Sequence, residues 1–203
     1  MESLRFRPET PADFRRVEEL VRDAFWDVYA PGCSEHLVLH RLRESPAYLP
    51  EISFLAERDG EILGHVAWSK GVVKGPEGKT TGVLTFGPIA VAPACHGQGI
   101  GTALLNKTLP LAAATGVPCV VIYGNPAYYG RFGFEDAAKW GITTRDGDNF
   151  PAFQVLPLGA NGREIPPGTF WEDDVFFPDP AEVDAFDAHF PPREKHVLPG
   201  QLK

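Results

Sequence analysis

The spacing of apolar residues predicts a chain that mixes helices and strands. Residues 4–7 alternate between apolar and charged side chains and predict a short first strand. Thr10 and Pro11 are typical of a helix start, and Ser34 predicts the cap of a second helix that runs to about Arg43. The first of these helices is predicted by apolar residues that recur every three or four positions: Phe14, Val17, Leu20, Val21, Ala24 and Phe25.

A three-stranded antiparallel segment follows. Residues 51–58 and 61–73 flank the dipeptide Asp59-Gly60, which is typical of a type I′ hairpin turn. Residues 81–91 predict the next antiparallel strand. Gly87-Pro88 lies inside it, and because proline cannot donate to a strand ladder we expect a bulge or local opening there.

The most informative stretch is a strand, a glycine-rich turn, a helix and a second strand. An apolar run ends at Val91, and the turn His96-Gly97-Gln98-Gly99-Ile100-Gly101 then opens a helical pattern that stops near Gly116. Pro110 removes a helical hydrogen bond, so we expect a bend or an early end of the helix near residues 107–109. Residues 117–123 predict a buried strand.

Such a glycine-rich turn favours anion binding. Glycines let successive backbone N–H groups point into one concavity, and the helix that follows adds the positive end of its dipole. A P-loop is excluded because Thr102 and Ala103 follow the last glycine, where Lys and Ser or Thr are required. A Rossmann turn is disfavoured by the glycine spacing and by the absence of a carboxylate in residues 117–123.

The pattern after residue 134 is less regular. In order, it predicts a strand at 153–158, a proline-rich loop at 162–168, a strand at 169–177 and a short helix after Asp179-Pro180. The acidic run 172–174 predicts a solvated turn. We expect one domain over residues 1–190 and a weakly ordered tail over residues 191–203.

Composition limits the classes of function. The chain has 203 residues, 43% of them hydrophobic and 23% charged, and a net charge of -8, which disfavours nucleic acid as a partner. The sequence contains neither an apolar run of about 18 residues nor an apolar N-terminal leader, so we expect no association with membranes. The cysteines at 33, 95 and 119 form no CxxC motif, which favours a reducing cytoplasm and disfavours a disulfide framework or a zinc site.

Two motifs resemble those of the GNAT superfamily of N-acetyltransferases. Val91-Ala92-Pro93 followed by the glycine turn resembles the family's phosphate loop, and residues 129–134, YGRFGF, resemble its Tyr-x-x-x-Gly-Phe segment. His96 departs from the family pattern, which usually has Gln or Arg there. The resemblance is strongest to bacterial predicted N-acetyltransferases of undefined substrate. It implies a mixed, mostly antiparallel twisted sheet flanked by helices, with a splayed strand pair that holds acyl-CoA.

The same resemblance implies a set of site residues. Tyr129 matches the general acid, with Tyr128 as its neighbour and aromatic packing as the alternative role of both. Asn125 is expected either to contact the pantetheine arm or to serve as a turn residue before Pro126. The residues expected to bind acetyl-CoA are Ile89, Ala90, Val91, His96, Gly97, Gln98, Gly99, Ile100, Gly101, Thr102 and Asn125.

The implied reaction is transfer of an acetyl group from acetyl-CoA to a primary amine, by direct attack in a ternary complex. The acceptor is a small-molecule or peptide amine, no metal is expected, and the family allows a homodimer. The general base stays open among His65, Glu57, His36 and Glu35. Two alternatives also stay open: a CoA-binding or CoA-sensing module without turnover, and a nucleotide-binding protein with a different ligand at the anion site.

Overall fold

A computed structural model describes residues 3–159 and 164–201, and these residues fall into two compact units. Unit 1 contains residues 3–67, 87–108 and 174–201. Unit 2 contains residues 68–86, 109–159 and 164–173.

The helices and strands are interspersed along the chain. The strands are β1 (Arg5–Pro8), β2 (Phe54–Arg58), β3 (Glu61–Lys74), β4 (Thr80–Val91), β5 (Cys119–Tyr123), β6 (Glu135–Asp136), β7 (Ile142–Thr143), β8 (Phe153–Pro157) and β9 (Gly168–Trp171). The helices are α1 (Phe14–Phe25), α2 (Glu35–Leu42), α3 (Ile100–Ala114), α4 (Pro126–Tyr129) and α5 (Pro180–Asp187). Strands β3 and β4 and helix α3 each contribute residues to both units.

The sheet of unit 1 follows the chain order β1-β2-β3-β4. Strands β1, β2 and β3 pair antiparallel, with Leu55 opposite His65 between β2 and β3. Asp59 and Gly60 in the β2–β3 turn have φ values of 53° and 81°. Two successive positive φ values are the signature of a type I′ turn, so the predicted hairpin is confirmed.

Helices α1 and α2 pack on this sheet through a common apolar cluster. Its buried members are Val17, Leu20, Val21, Leu39, Leu42, Leu55, Ala67 and Ala90. Thr10 donates from its N–H and its hydroxyl to the Asp13 carboxylate, at 2.8 and 2.7 Å, which fixes the turn that leads into α1. Ser34 precedes α2 as predicted, but its side chain makes no capping bond; its N–H donates to Glu35 instead.

A buried ion-pair network joins α2 to the start of α1. Arg43 donates to both carboxylate oxygens of Glu9, at 3.0 and 2.9 Å, and to Glu18 at 2.8 Å. The side chains of Arg43 and Glu9 are only 4% and 3% exposed. Burial alone would raise the pKa of the Glu9 carboxyl, but the hydrogen bond and the charge of Arg43 and the hydrogen bond from Tyr48 outweigh it and lower that pKa.

The strands of unit 2 are arranged as β4-β5-β8-β6, and β9 pairs with β3 and β7. Strands β4 and β5 pair in parallel at Leu84 and Val120, whereas β5 and β8 pair antiparallel along the whole of β5. One face of these strands forms the core of the unit. The buried residues of that core are Val73, Val83, Cys119, Val121, Ala137, Ile142, Phe153, Val155 and Phe170.

Two predicted element ends are wrong. Helix α3 does not end early near 107–109, because it continues through Pro110 to Ala114; the bend, the other predicted effect of Pro110, stays a prediction. Pro110 has no N–H to donate to the Asn106 carbonyl. Both residues lie on the exposed face of the helix, so water can hydrogen-bond to that carbonyl instead. The predicted strand at 169–177 ends at Trp171, and the chain then makes a 3-10 turn over Asp174–Phe176.

The helix after Asp179 is confirmed. Asp179 accepts from Ala181 N–H at 2.7 Å, and the Glu182 carboxylate accepts from Asp179 N–H, which completes a capping box. The single domain over 1–190 and the weakly ordered tail over 191–203 stay predictions. Residues 1, 2, 160–163, 202 and 203 lie outside the described residues, and they include part of the proline-rich loop and the end of the tail.

Candidate active site

The predicted anion-binding turn connects β4 to α3 in unit 1. Gly97 and Gly99 have φ values of 76° and 80°, in the left-handed region that L side chains rarely adopt. A Cβ atom built at either glycine meets no atom within 4 Å. The glycines are therefore required by the backbone conformation, and the space in front of the turn is open.

The first turn of α3 supplies N–H groups without partners inside the helix. Helix α3 begins at Ile100, so the N–H groups of Ile100, Gly101 and Thr102 precede the first residue whose intrahelical acceptor is available. Ala103 N–H then donates to the Gly99 carbonyl at 2.9 Å. Together with the helix dipole, these groups make the turn suited to an anion such as a pyrophosphate.

Two side chains of the turn bond to the backbone of the segment that leads into it. His96 Nε2 lies 3.0 Å from the Val91 carbonyl, and Gln98 Nε2 donates to the Ala94 carbonyl at 3.2 Å. Both residues are exposed, so these bonds hold the turn in shape without enclosing it. The presence of His96 in place of Gln or Arg is compatible with a site that binds through backbone N–H groups.

The start of α3 is fixed by a close contact with β3. Ile100 is 5% exposed, and a Cβ atom at Gly64 would lie 2.9 Å from its Cγ2. The same Cβ would lie 3.1 Å from the Ala90 carbonyl oxygen and 3.1 Å from Leu104 Cδ1. Glycine at 64 therefore lets the first turn of α3 approach the strands, which sequence reasoning missed.

The end of β4 leads directly into the turn. Ala90 is buried, and Ile89 and Val91 are half-buried. Ala92 N–H donates to the Leu63 carbonyl at 2.9 Å, which holds the end of β4 on β3. The expectation that Ile89, Ala90 and Val91 pair with an acyl-pantetheine arm stays a prediction.

Tyr129, the predicted general acid, lies at the end of α4 in unit 2. Asn125 caps α4, because its Oδ1 accepts from Ala127 N–H at 2.9 Å. Asn125 therefore has the turn role, which is one of its two predicted roles. Its Nδ2 group remains as a side-chain hydrogen-bond donor. A Cβ atom at Gly124 would overlap the Tyr129 ring, so Gly124 allows the ring to lie directly on the backbone.

The Gly124 backbone is held from both sides by the segment around β8. Its N–H donates to the Ala152 carbonyl at 2.8 Å, and Gln154 Nε2 donates to its carbonyl at 2.7 Å. Gln154 is 2% exposed. The buried amide of Gln154 thus fixes the surface on which Tyr129 rests, and neither Gly124 nor Gln154 carried a sequence signal.

Aromatic neighbours surround the Tyr129 ring. Its centroid lies 5.8 Å from that of Phe86, 5.7 Å from Phe134 and 4.9 Å from Tyr128. Tyr128 instead faces the Arg131 guanidinium, 4.5 Å from its ring. This packing holds the Tyr129 ring in one orientation, which both a general acid and a packing residue require.

None of the four candidate bases is singled out by the structure. His65 and His36 are fully buried, and burial is the main cause that lowers the pKa of each imidazole to about 4. Glu57 accepts from Arg7 at 3.0 Å, and Glu35 accepts from Ser34 N–H at 3.0 Å. The two histidines are thus buried and the two glutamates are held by hydrogen bonds, so no one of the four is favoured as the base.

The exposure of Glu172 differs from the prediction. The acidic run 172–174 was expected to be a solvated turn, but Glu172 is only partly exposed. Burial raises the pKa of its carboxyl to about 7, against the opposing charge of Arg145. The residue follows β9, whose Phe170 belongs to the core, and this tertiary placement had no sequence signal.

The described part of the chain has neither a cluster of metal-ligand side chains nor a membrane-spanning helix. Over residues 3–159 and 164–201, no three His, Cys, Asp or Glu side chains are grouped so as to hold a metal ion. Over the same residues, no helix combines the length and the apolarity needed to cross a membrane.

Comparison of the sequence with known families gives one match that covers most of the chain. A family model described as an acetyltransferase (GNAT) domain matches residues 5–137. The uncharacterized N-acetyltransferase YhbS of Escherichia coli strain K12 is 32% identical over 152 residues, which is 75% of this chain and 86% of that protein. The uncharacterized N-acetyltransferase YjhQ of the same strain is 31% identical over 97 residues, covering 48% of this chain and 53% of YjhQ.

Solved structures show the same likeness. The crystal structure of YhbS from Escherichia coli in complex with CoA has a TM-score of 0.74 at 29% identity, covering 85% of this chain and 91% of that one. A GNAT family acetyltransferase from Brucella melitensis in complex with acetyl-CoA has a TM-score of 0.69 at 28% identity, covering 87% of this chain and 99% of that one.

Proposed function

Because the chain belongs to the GNAT family of N-acetyltransferases, we propose that it transfers an acetyl group from acetyl-CoA to a primary amine by direct attack in a ternary complex. The observation that carries this proposal is the open glycine turn at the start of α3, with Gly97 and Gly99 in the left-handed region. Acetyl-CoA supplies an activated acetyl group as its thioester.

The turn of residues 96–102 is suited to the pyrophosphate of acetyl-CoA. The N–H groups of Gly97, Gly99, Ile100, Gly101 and Thr102 are the candidate donors, because they lie in the turn or in the first turn of α3. The YhbS and Brucella melitensis structures, which contain CoA and acetyl-CoA, support this assignment.

The backbone at the end of β4 has two roles in the proposal. N–H and carbonyl groups of Ile89, Ala90 and Val91 pair with the amides of the pantetheine arm, and one N–H in this stretch polarises the thioester carbonyl. Such contacts need backbone groups in a fixed position, and the bond between Ala92 and Leu63 fixes this stretch on β3. Asn125 would contact the arm through Nδ2, since its Oδ1 caps α4.

Tyr129 is the proposed general acid. The amine nitrogen forms a bond to the acetyl carbon, the carbon–sulfur bond breaks, and the leaving sulfur takes the phenolic proton of Tyr129. The proton released by the amine returns the phenolate to its neutral form through solvent. A tyrosine phenol ordinarily has a pKa of about 10, so it carries this proton at neutral pH.

Replacing Tyr129 with phenylalanine tests this role. The variant keeps the ring that packs on Gly124, Phe86 and Phe134 but lacks the proton. We expect kcat for CoA release with an amine panel to fall about 100-fold, the usual contribution of a general acid, while the Kd for CoA changes less than about twofold. Tyr128→Phe is the matched control and should retain the wild-type rate.

Two results would contradict the assignment. An unchanged kcat in Tyr129→Phe would return Tyr129 to a packing role, while a lost affinity for CoA would mean that its hydroxyl binds the cosubstrate. If the wild-type protein binds CoA but acetylates no amine in the panel, the CoA-sensing alternative would replace the enzyme.

A further inference from the structure

Residues 191–201 of unit 1 contact helix α1 and the loop that follows it, and they do so mainly through polar groups. Phe190, which precedes them, is 5% exposed and packs under the Arg15 guanidinium, 3.6 Å from its ring centroid. Residues 191–200 are all exposed, and Gln201 is half-buried. We call residues 191–201 the strap. A segment that buries so little apolar surface and is held by exposed hydrogen bonds opens locally at a low cost in free energy.

Two contacts hold the first part of the strap. Arg193 donates to the Asp23 carboxylate on α1 at 3.0 Å, and the Trp26 indole N–H donates to the Glu194 carbonyl at 2.9 Å. The side chains of Arg193 and Asp23 are 42% and 58% exposed, and ion pairs as exposed as this one contribute little to stability. These contacts therefore place the strap on α1 without locking it there.

Asp27, two residues after the end of α1, is the main attachment point of the strap. Its carboxylate accepts from the His196 backbone N–H at 3.1 Å and lies 2.9 Å from His196 Nδ1, and its carbonyl accepts from Gln201 Nε2 at 2.8 Å. The same carboxylate accepts from Gly32 N–H at 2.7 Å, and Asp27 N–H donates to the Gly32 carbonyl at 2.8 Å. Asp27 thus closes the loop of residues 27–32 and holds the strap at the same time.

The contact between His196 and Asp27 depends on a side chain that titrates near neutral pH. The His196 side chain is 55% exposed and the Asp27 side chain 9% exposed. Burial alone would raise the pKa of the Asp27 carboxyl, but the hydrogen bonds from Gly32 and His196 outweigh it and lower that pKa, so Asp27 is charged near neutral pH. A histidine side chain ordinarily changes its charge between pH 5 and pH 8.

A second carboxylate approaches the imidazole from the strap itself. Glu194 Oε2 lies 3.8 Å from His196 Nε2, but the Glu194 side chain is 86% exposed. The other charged residues in ion pairs with the strap are Arg193 and its partner Asp23, and Lys195 and its partner Asp184 on α5. All of these side chains belong to types that keep their charge between pH 6 and pH 8, so a response in this range points to the histidine.

We propose that His196 and Asp27 form a pH-sensitive latch: the charged imidazole holds the strap closed on Asp27, and the neutral imidazole lets it open more often. The neutral ring can still donate from Nδ1, but hydrogen bonds between charged groups are about twice as strong as neutral ones. Opening leaves the Trp26 indole N–H without its acceptor and frees the 27–32 loop from the strap. The latch is separate from the proposed acetyl transfer, and its test uses no CoA.

Hydrogen exchange measured by NMR on the full chain tests the latch. The His196 amide, which donates to Asp27, and the Trp26 indole N–H report the equilibrium constant for opening, once the rates are corrected for intrinsic exchange. We expect this constant to rise about fivefold from pH 6 to pH 8, the upper end of what an exposed ion pair contributes. The Ala181 amide, which donates to the Asp179 carboxylate at 2.7 Å, is the matched control and should show no rise.

Two variants remove a charge from the latch and keep its hydrogen bonds. In His196→Gln the side chain can still donate to Asp27, and Asp27→Asn keeps a residue type that tolerates the φ of 59° at this position. Both should open about as often as the wild type does at pH 8, with no dependence on pH between 6 and 8. His189→Gln removes another exposed histidine just before the strap, and this control should keep the fivefold response.

Trypsin gives a second readout, because it cleaves after Arg193 and Lys195 when the strap opens. The cleavage rate relative to a free peptide of residues 188–201 should follow the same pattern as hydrogen exchange. A response that is lost in both latch variants and kept in His189→Gln supports the latch. An opening constant that is equal at pH 6 and pH 8 in the wild type, or that still rises in His196→Gln, would overturn it.

Discussion

Gly64 offers a test of how β3 positions the anion-binding turn. A Cβ atom at this position would lie 2.9 Å from Ile100 Cγ2, closer than real Cβ contacts, and 3.1 Å from the Ala90 carbonyl oxygen. Ile100 is β-branched and opens α3, and Ala90 is strand backbone, so neither neighbour can yield cheaply. In Gly64→Ala, the first turn of α3 must therefore move away from β3.

The direction of the change in stability shows whether the contact at Gly64 is tight or whether the site accepts an alanine. An alanine that fits its site stabilises a protein by about 0.4–1 kcal/mol, because the unfolded chain loses freedom. Overpacking costs about 1–3 kcal/mol, so Gly64→Ala should lower the free energy of unfolding by an amount in that range. Movement of the turn should also weaken one or more hydrogen bonds to the pyrophosphate, which would raise the Kd for CoA about tenfold.

Urea unfolding and calorimetric titration with CoA measure both quantities. Gly82→Ala is the matched control, because Gly82 lies on β4, has no positive φ, and a Cβ atom there meets nothing within 4 Å. We expect this control to be as stable as wild type or slightly more stable, with unchanged affinity for CoA. If Gly64→Ala were as stable as Gly82→Ala and bound CoA equally well, the proposed positioning by Gly64 would be refuted.

Three further predictions concern stability and catalysis. Arg43→Met leaves the Glu9 carboxylate buried without its main partner and should destabilise the protein by about 3–5 kcal/mol in urea unfolding, whereas Arg16→Met, at an exposed pair, should change stability by less than about 0.5 kcal/mol. The raised pKa of Glu172 disfavours its ionised form in the folded state, so Glu172→Gln should gain about 1–3 kcal/mol at pH 8 and nothing near pH 4. Gly124→Ala should displace the ring of Tyr129, the proposed general acid, and lower kcat about tenfold while the Kd for CoA is retained.

Each of these has a contradicting result. Equal stability of the Arg43 and Arg16 variants would mean that the buried network contributes no more than a surface pair. A Glu172→Gln protein with wild-type stability at pH 8 would show that the carboxylate is solvated, as the sequence suggested. A wild-type kcat in Gly124→Ala would mean that the position of Tyr129 is not set by the backbone beneath it.

Local patterns in the sequence predicted the strands and turns that depend on local chemistry. Asp59-Gly60 gave a type I′ hairpin, and the glycines at 97 and 99 adopt the positive φ expected of an anion-binding turn. The mixed, mostly antiparallel sheet flanked by helices is confirmed, with β4–β5 and β7–β9 as its parallel pairs. These features follow from a few residues whose backbone preferences are strong.

The errors arise where tertiary placement overrides a local rule. Proline inside a helix predicts a break, but Pro110 lies on the exposed face of α3 and the helix continues. Glu172 lies in an acidic run that resembles a solvated turn, yet it follows a strand whose Phe170 is buried. No periodicity in the sequence reveals which face of an element is covered by a segment far along the chain.

In the candidate site, too, sequence motifs pointed to some residues, whereas residues that act through tertiary placement were missed. The glycine turn, Tyr129 and Asn125 were proposed as site residues from motifs, because the resemblance fixes their order and spacing. Gly64 and Gln154 were missed, since each acts by supporting a neighbour: one makes room for α3 and the other holds the Gly124 carbonyl. A cytoplasmic location, a homodimer and the absence of a nucleic-acid partner stay predictions.

Thermal unfolding with CoA and with NAD tests the central assignment, that the turn of residues 96–102 binds the CoA pyrophosphate. CoA at about 100 times its Kd should add about 2.7 kcal/mol to wild-type stability and raise its unfolding midpoint by several degrees, while NAD should not. Gly99→Val should lose the shift, whereas Gly147→Val, which carries the same positive-φ strain in another open turn, should keep it. A wild-type midpoint that CoA does not move, or that moves equally in Gly99→Val, would contradict the account.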